Sequence, residues 1–140
     1  MKRNNFRKIG FIGSPDCITK SQKVKKLLFK IKTECNFPIE IVGGGNTTGF
    51  ENDVKRAALD LKMMYAEHNP FCTEHNIFSV ENETKYGKPY HFTYIISRYD
   101  RLLNYCDSIV FGNDDGVAVG EIYQQLLIKA AKKNKKIIFL

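Results

Sequence analysis

Three short segments carry the residue types that can hold an anion: GSPD from Gly13, the run Gly43-Gly44-Gly45-Asn46-Thr47-Thr48-Gly49, and GNDDGVAVG from Gly112. Glycine lets a backbone come close to a ligand and adopt positive φ. Where such a turn opens a helix, the first N–H groups lack intrahelical partners and face the positive end of the dipole, which suits a phosphate. The backbone of Gly13, Ser14, Gly43, Gly44, Gly45, Asn46, Gly49, Asp115, Gly116 and Val117 forms the candidate nucleotide- or phosphate-binding set, to which Thr47 and Thr48 add hydroxyl donors. Neither GxxxxGKS/T nor a GxGxxG after the first apolar run is present, which argues against P-loop hydrolysis and against a standard dinucleotide fingerprint. No Ser/His/Asp or Cys/His triad is suggested by spacing.

The elements that must position these turns alternate between short apolar runs and helical periodicity, the pattern of βαβ units. A first strand is predicted over residues 8–13, nearly continuous in apolar character as a strand buried on both faces would be. A helix follows over 19–34, with Val24, Leu27, Leu28 and Ile31 on one side. A second strand over 39–42 runs into the triple glycine. The next helix is predicted over 50–65, with Val54, Ala57, Ala58, Leu61 and Met64 facing inward. HNIFSV (75–80) reads as a strand within an irregular stretch, and ENETKYGKPYHFTY as a binding loop or lid. A helix over 93–105, a strand over 107–111, a helix over 119–133 and a strand KKIIFL close the chain. The expectation is one α/β domain over residues 1–140, a Rossmann-like three-layer sandwich on a mainly parallel, roughly five-stranded sheet. Ligands of such sheets bind outside the carboxyl ends of the strands, where all three glycine turns fall.

GSPD, IVGGGNTTGFENDVKRAA and SRYDRLLNYCDSIVFGNDDGVAVGEIYQQLLIKAAKKNKKIIFL together resemble the SLOG superfamily of Rossmann-like domains. Its members include YspA/YpsA-related proteins and the "lonely guy" (LOG) nucleotide phosphoribohydrolases. TKYGK followed by SRYDRLL is similar to a YspA-like pattern, and GGGNTTG to the glycine loop of LOG enzymes. The LOG resemblance implies an active-site arginine at Arg98, an acidic residue opening the penultimate strand at Asp107, and the glutamate of a PGGxGTxxE motif at Glu121. GNDDGVAVGE departs from that motif: Asn113, Asp114 and Asp115 replace its proline and paired glycines, and two aspartates repel a phosphate. YspA-like proteins carry an acidic residue where Glu51 stands, and contact of Glu51 with a ribose hydroxyl is left open. Hydrolysis of an N-glycosidic bond builds positive charge on the sugar; Glu121 could stabilise that charge or orient water, and Arg98 could hold the phosphate. Equally, Glu121 suits the amino end of a helix without any catalysis. The resemblance thus implies binding of a nucleotide-like small molecule, with cleavage of its base–sugar bond as one outcome and non-catalytic sensing or sequestration as another. It also implies a homo-oligomer whose site borders the subunit interface.

Lys and Arg number 22 against 15 Asp and Glu, for a net charge of +7. This favours anionic partners, and a nucleic-acid-binding protein of the DNA-processing kind is the third reading. The lysines of KSQKVKKLLFKIK and KAAKKNKK also fit solvated helix faces. No apolar run approaches the ~20 residues of a membrane span, the basic amino terminus lacks a signal-peptide core, and Cys17, Cys35, Cys72 and Cys106 show no paired spacing. These features predict a soluble cytoplasmic protein with reduced thiols. His68, Cys72 and His75, with His91 beyond, match no zinc-finger spacing, so neither a metal nor a resident cofactor is expected. Tyr86, Tyr90, His91, Phe92 and Tyr94 beside Lys85 and Lys88 fit a base-stacking pocket wall, a cover over the core, or a subunit contact.

Overall fold

The computed structural model describes residues 7–13, 21–35, 38–45, 49–68, 92–114, 117–118 and 121–140. Five parallel strands form the central sheet in the order β3-β2-β1-β4-β7: β1 (Arg7–Ile12), β2 (Ile39–Gly43), β3 (Met64–Glu67), β4 (Ser108–Phe111) and β7 (Lys136–Phe139). The helices are α1 (Ser21–Glu34), α2 (Gly49–Asp60), α3 (Phe92–Tyr105) and α4 (Glu121–Lys132). The expected open α/β architecture is therefore present.

Strand alternation sends neighbouring residues of one strand into two separate cores. Phe11, Ile41, Tyr65 and Val110 pack with Val24 and Leu28 of α1 and Phe50, Val54, Ala57 and Ala58 of α2. Ile12, Val42, Ile109 and Phe111 pack on the other face with Tyr99, Leu102 and Leu103 of α3 and Leu126 and Ala130 of α4. Such two-sided burial explains why β1, β2 and β4 read as continuous apolar runs. The chain moves outward from β1 to β2 and β3, then crosses to β4 on the other side. The order thus reverses between β1 and β4, and the carboxyl ends of β1, β2 and β4 share one edge.

Two expectations change. The helix predicted to reach residue 65 stops at Asp60: Met63 N–H donates to Ala58 O and Lys62 N–H to Leu59 O, with Lys62 at φ 56°. That is a Schellman ending with lysine in the left-handed position usually taken by glycine. Met64, expected on the inward side of the helix, instead starts β3 and is exposed. α4 ends the same way at Asn134, φ 58°. The outer strand of the sheet is thus MYAE, while HNIFSV lies outside the described residues. GNDDGVAVG contains a second, unforeseen element, an antiparallel pair of β5 (Asn113–Asp114) and β6 (Val117–Ala118).

Candidate functional site

The carboxyl edge is organised around a buried carboxylate. Glu51, in the first turn of α2, is 1% exposed. Its Oε2 accepts from Gly13 N–H at 3.1 Å, at the end of β1, and its Oε1 from Gly44 N–H at 3.1 Å, just beyond β2. Tyr99 Oη, from α3 on the opposite face of the sheet, donates to Oε2 at 2.7 Å. Backbone amides can only donate, so this arrangement calls for the anionic acceptor form of Glu51.

Arg98, the neighbour of Tyr99, supplies the opposite charge. Nη1 donates to Gly44 O at 2.8 Å and Nη2 to Tyr99 Oη at 3.0 Å, and the residue is 3% exposed. Gly44 is therefore gripped from both sides, its N–H by a carboxylate and its C=O by a guanidinium, with Tyr99 Oη bridging the two charges. Only glycine fits here, because a Cβ would stand 2.5 Å from Glu51 Oε1 and 2.8 Å from Tyr99 Cε1. Beyond this fastening Gly45 has φ 83°, and Gly49, where α2 begins, has φ 76°. These are the left-handed values for which the glycines were singled out.

Phe50 closes the reversal point between β1 and β4. It is fully buried, and a Cβ on Gly13 or on Gly112 would come within 2.6 Å or 2.4 Å of it. The crevice between these two strand ends is thus filled by an aromatic ring of the chain itself.

A second polar group lies at the end of β3. Tyr65 Oη donates to Glu67 Oε2 at 2.8 Å, and Lys55 Nζ stands 3.6 Å from Glu67 Oε1. Burial, then the negative charge of Glu67, pushes the Tyr65 phenol far above its usual range. His68, 3% exposed, donates its N–H to Gly43 O and sets its ring edge-on to Tyr105, whose hydroxyl donates to the buried Glu40.

The structure brings together Gly13, Gly43, Gly44, Gly45, Gly49 and Arg98. Gly43 ends β2 within the sheet, and Val117 lies in β6. Ser14, Asn46, Thr47, Thr48, Asp115 and Gly116 lie outside the described residues, as do Cys72, His75, Tyr86, Tyr90 and His91; so do the side chains of Phe92, Tyr94 and Glu121. Glu121 is the first residue of α4. Asp107 belongs to the opposite edge: it precedes β4, its Oδ2 accepts from Lys8 N–H at 2.9 Å, and its own N–H donates to Lys8 O. Sequence reasoning missed Tyr99, Glu67 and the clamping role of Glu51. The signal for Tyr99 and Glu51 was a polar residue at a core-facing helical position, which asks for buried partners. Among the described residues, no group of three or more His, Cys, Asp or Glu is placed to hold a metal, and no helix is long and apolar enough to cross a membrane.

No protein-family model and no curated protein sequence matches the chain. Its shape is similar to DNA processing protein A (DprA) from Streptococcus pneumoniae, with TM-score 0.75 and 15% identity over 96% of this chain. The chain spans 50% of that protein's length. It is also similar to the molybdenum cofactor carrier protein MCP from Chlamydomonas reinhardtii in two structures, each with TM-score 0.62 and 14% identity, over 95% and 96% of this chain and 76% of that one. At these identities the likeness is one of fold, and it marks the chain as a Rossmann-like α/β protein.

Proposed function

We propose that this chain is a SLOG-type nucleotide-binding domain that takes the phosphate of a nucleotide or nucleotide derivative at the turn Gly45-Asn46-Thr47-Thr48-Gly49 and the amino end of α2. The observation that carries this reading is the double fastening of Gly44 by Glu51 and Arg98. A loop whose first peptide is held by two buried charges loses little conformational entropy when a ligand arrives, and such preorganisation raises affinity without new contacts. Glu51 already engages the amides of Gly13 and Gly44, so the phosphate sits further out, toward the helix. One similar fold is named for carrying a cofactor and another for processing DNA, which supports a ligand-holding role. Calorimetric titration with nucleoside 5′-monophosphates and the matching nucleosides tests the reading: binding should require the phosphate. Absence of binding by any monophosphate would refute it.

Arg98 beside the glycine loop also supports a hydrolytic reading, in which Glu121 steadies the oxocarbenium-like sugar or positions water. The Arg98 guanidinium would act through the loop it holds. Free base released from a monophosphate by the unaltered protein, and lost in Glu121→Gln, distinguishes a hydrolase from a binding module. The net charge of +7 supports nucleic acid as a third ligand class, which a steep fall of DNA affinity with salt would reveal.

A further inference from the structure

The polar end of β3 lies beside the glycine turn of β2, and the unit β2–turn–α2–β3 has a layout in which an acidic residue can read a sugar. In a βαβ unit that holds a phosphate at its glycine turn, a carboxylate near the end of the second strand, about 20 residues further on, accepts from a ribose hydroxyl. Here Gly45 and Gly49 flank the turn, α2 follows, and Glu67 is the last residue of β3. Glu67 pairs in register with Gly43 at the end of β2, one strand spacing of ~4.8 Å away. Tyr65 Oη donates to Glu67 Oε2 at 2.8 Å, and a Cβ on Gly43 would stand 2.7 Å from that hydroxyl, so glycine at the end of β2 makes room for it. Lys55 Nζ stands 3.6 Å from Glu67 Oε1, beyond the ~2.7–2.9 Å of a direct charge-assisted hydrogen bond. The Lys55 side chain is 30% exposed and that of Glu67 3%, so the pair is open on its lysine side with the carboxylate beneath.

We infer that Glu67 and Lys55 recognise the ribose 2′-hydroxyl of the nucleotide, so that the site takes ribonucleotides in preference to deoxyribonucleotides. This rests on the phosphate site proposed above between Gly45 and Gly49. A hydroxyl is both donor and acceptor. Lying between the two charges, it donates to Glu67 Oε1 and accepts from Lys55 Nζ, which bridges the gap that separates them. Burial of the carboxylate strengthens such a bond, because the surroundings screen it little, and the Tyr65 hydroxyl fixes its orientation in advance. The other direction is closed to the sugar: Phe50 fills the crevice between β1 and β4, and Glu51 takes the Gly13 amide. A ligand with its phosphate at the turn therefore extends toward β3.

Calorimetric titration of the full chain with ribonucleoside 5′-monophosphates and their 2′-deoxy counterparts tests the inference. Each ribonucleotide that binds should do so roughly tenfold or more tightly than its deoxy form, the worth of one hydrogen bond to a charged group. Glu67→Gln keeps the volume and removes the charge; it should bring that ratio close to one with little change for the deoxynucleotide. Lys55→Gln, at a partly exposed position, should lower the ratio with its thermal melt retained, and it decides the matter if Glu67→Gln does not fold. A purely structural role for the pair would weaken both nucleotides alike and leave the ratio where it was. Equal binding of the two sugars by the unaltered chain, or a ratio unchanged in Lys55→Gln or in folded Glu67→Gln, would overturn the inference and leave the phosphate site standing. Absence of binding by every monophosphate would instead refute the phosphate site, and the sugar site with it.

Discussion

Replacing Glu51 by Gln removes one charge and changes almost no volume, so its effect isolates the buried clamp. Glutamine keeps one acceptor oxygen and exchanges the other for an NH₂ group. Placed at Oε2, that group would face Gly13 N–H and Tyr99 Oη; placed at Oε1, it would face Gly44 N–H. The second orientation is cheaper, yet it leaves a buried backbone donor facing another donor, which costs about 1–3 kcal/mol. The substitution also removes the negative charge that Tyr99 Oη links to a guanidinium that is 3% exposed, and breaking a direct buried charge pair, the upper bound for this bridged one, costs about 3–5 kcal/mol in measured cases. The two penalties share the same bonds, so they do not add in full. The expected loss is about 3–5 kcal/mol, a large part of the ~5–15 kcal/mol of a typical domain. Urea denaturation should show the midpoint falling by roughly 2 M with unchanged slope. Tyr99→Phe removes only the bridging hydroxyl and should lose about 1–2 kcal/mol. A Glu51→Gln midpoint within about 0.3 M of the parent would show that the carboxylate is not the fastening described.

Gly44→Ala would force a methyl group to 2.5 Å from Glu51 Oε1; overpacking of this kind should cost about 1–3 kcal/mol and weaken nucleotide binding, both measurable on one preparation. Phe50→Ala should destabilise by about 3–5 kcal/mol, and because Phe50 fills the space over Gly13 and Gly112, a small apolar molecule should recover part of that loss in a thermal melt. Stability should also fall at alkaline pH. Burial first, then neighbouring carboxylates, raises the Cys106 thiol and the Tyr65 phenol well above their ordinary values of 9.0 and 10.0. Once the pH passes those values the unfolded chain releases protons that the folded chain retains, so the stability present below them is progressively lost. Denaturant midpoints measured from pH 7 to 11 should show this decline, and Cys106→Ala with Tyr65→Phe should flatten it.

What the sequence made legible was what periodicity encodes. α1 follows its Val24, Leu27, Leu28, Ile31 stripe, and β1, β2 and β4 follow their apolar runs because burial on both faces leaves no polar alternation. β3 was hidden because Met, Ala and Glu are good helix formers, so MYAE extended the preceding pattern. Pairing with β2 overrides that propensity. No glycine marks the end of α2, since Lys62 takes the left-handed position itself. The glycines at the ends of β1 and β2 were legible, but the Glu51 carboxylate that takes the amides of Gly13 and Gly44 was not, since those glycines were read as partners of a bound phosphate. Glu51 and Tyr99 meet across the sheet edge from helices on opposite faces, and only the three-dimensional arrangement brings them together.

The most direct measurement of the nucleotide-binding reading is a ¹H–¹⁵N correlation titration of the whole chain with a nucleoside 5′-monophosphate. Amide shifts should concentrate between Gly45 and the first turn of α2, while Gly13 and Gly44, already donating to Glu51, move little. A spectrum that does not change at saturating nucleotide, or one whose changes lie away from that turn, would contradict it.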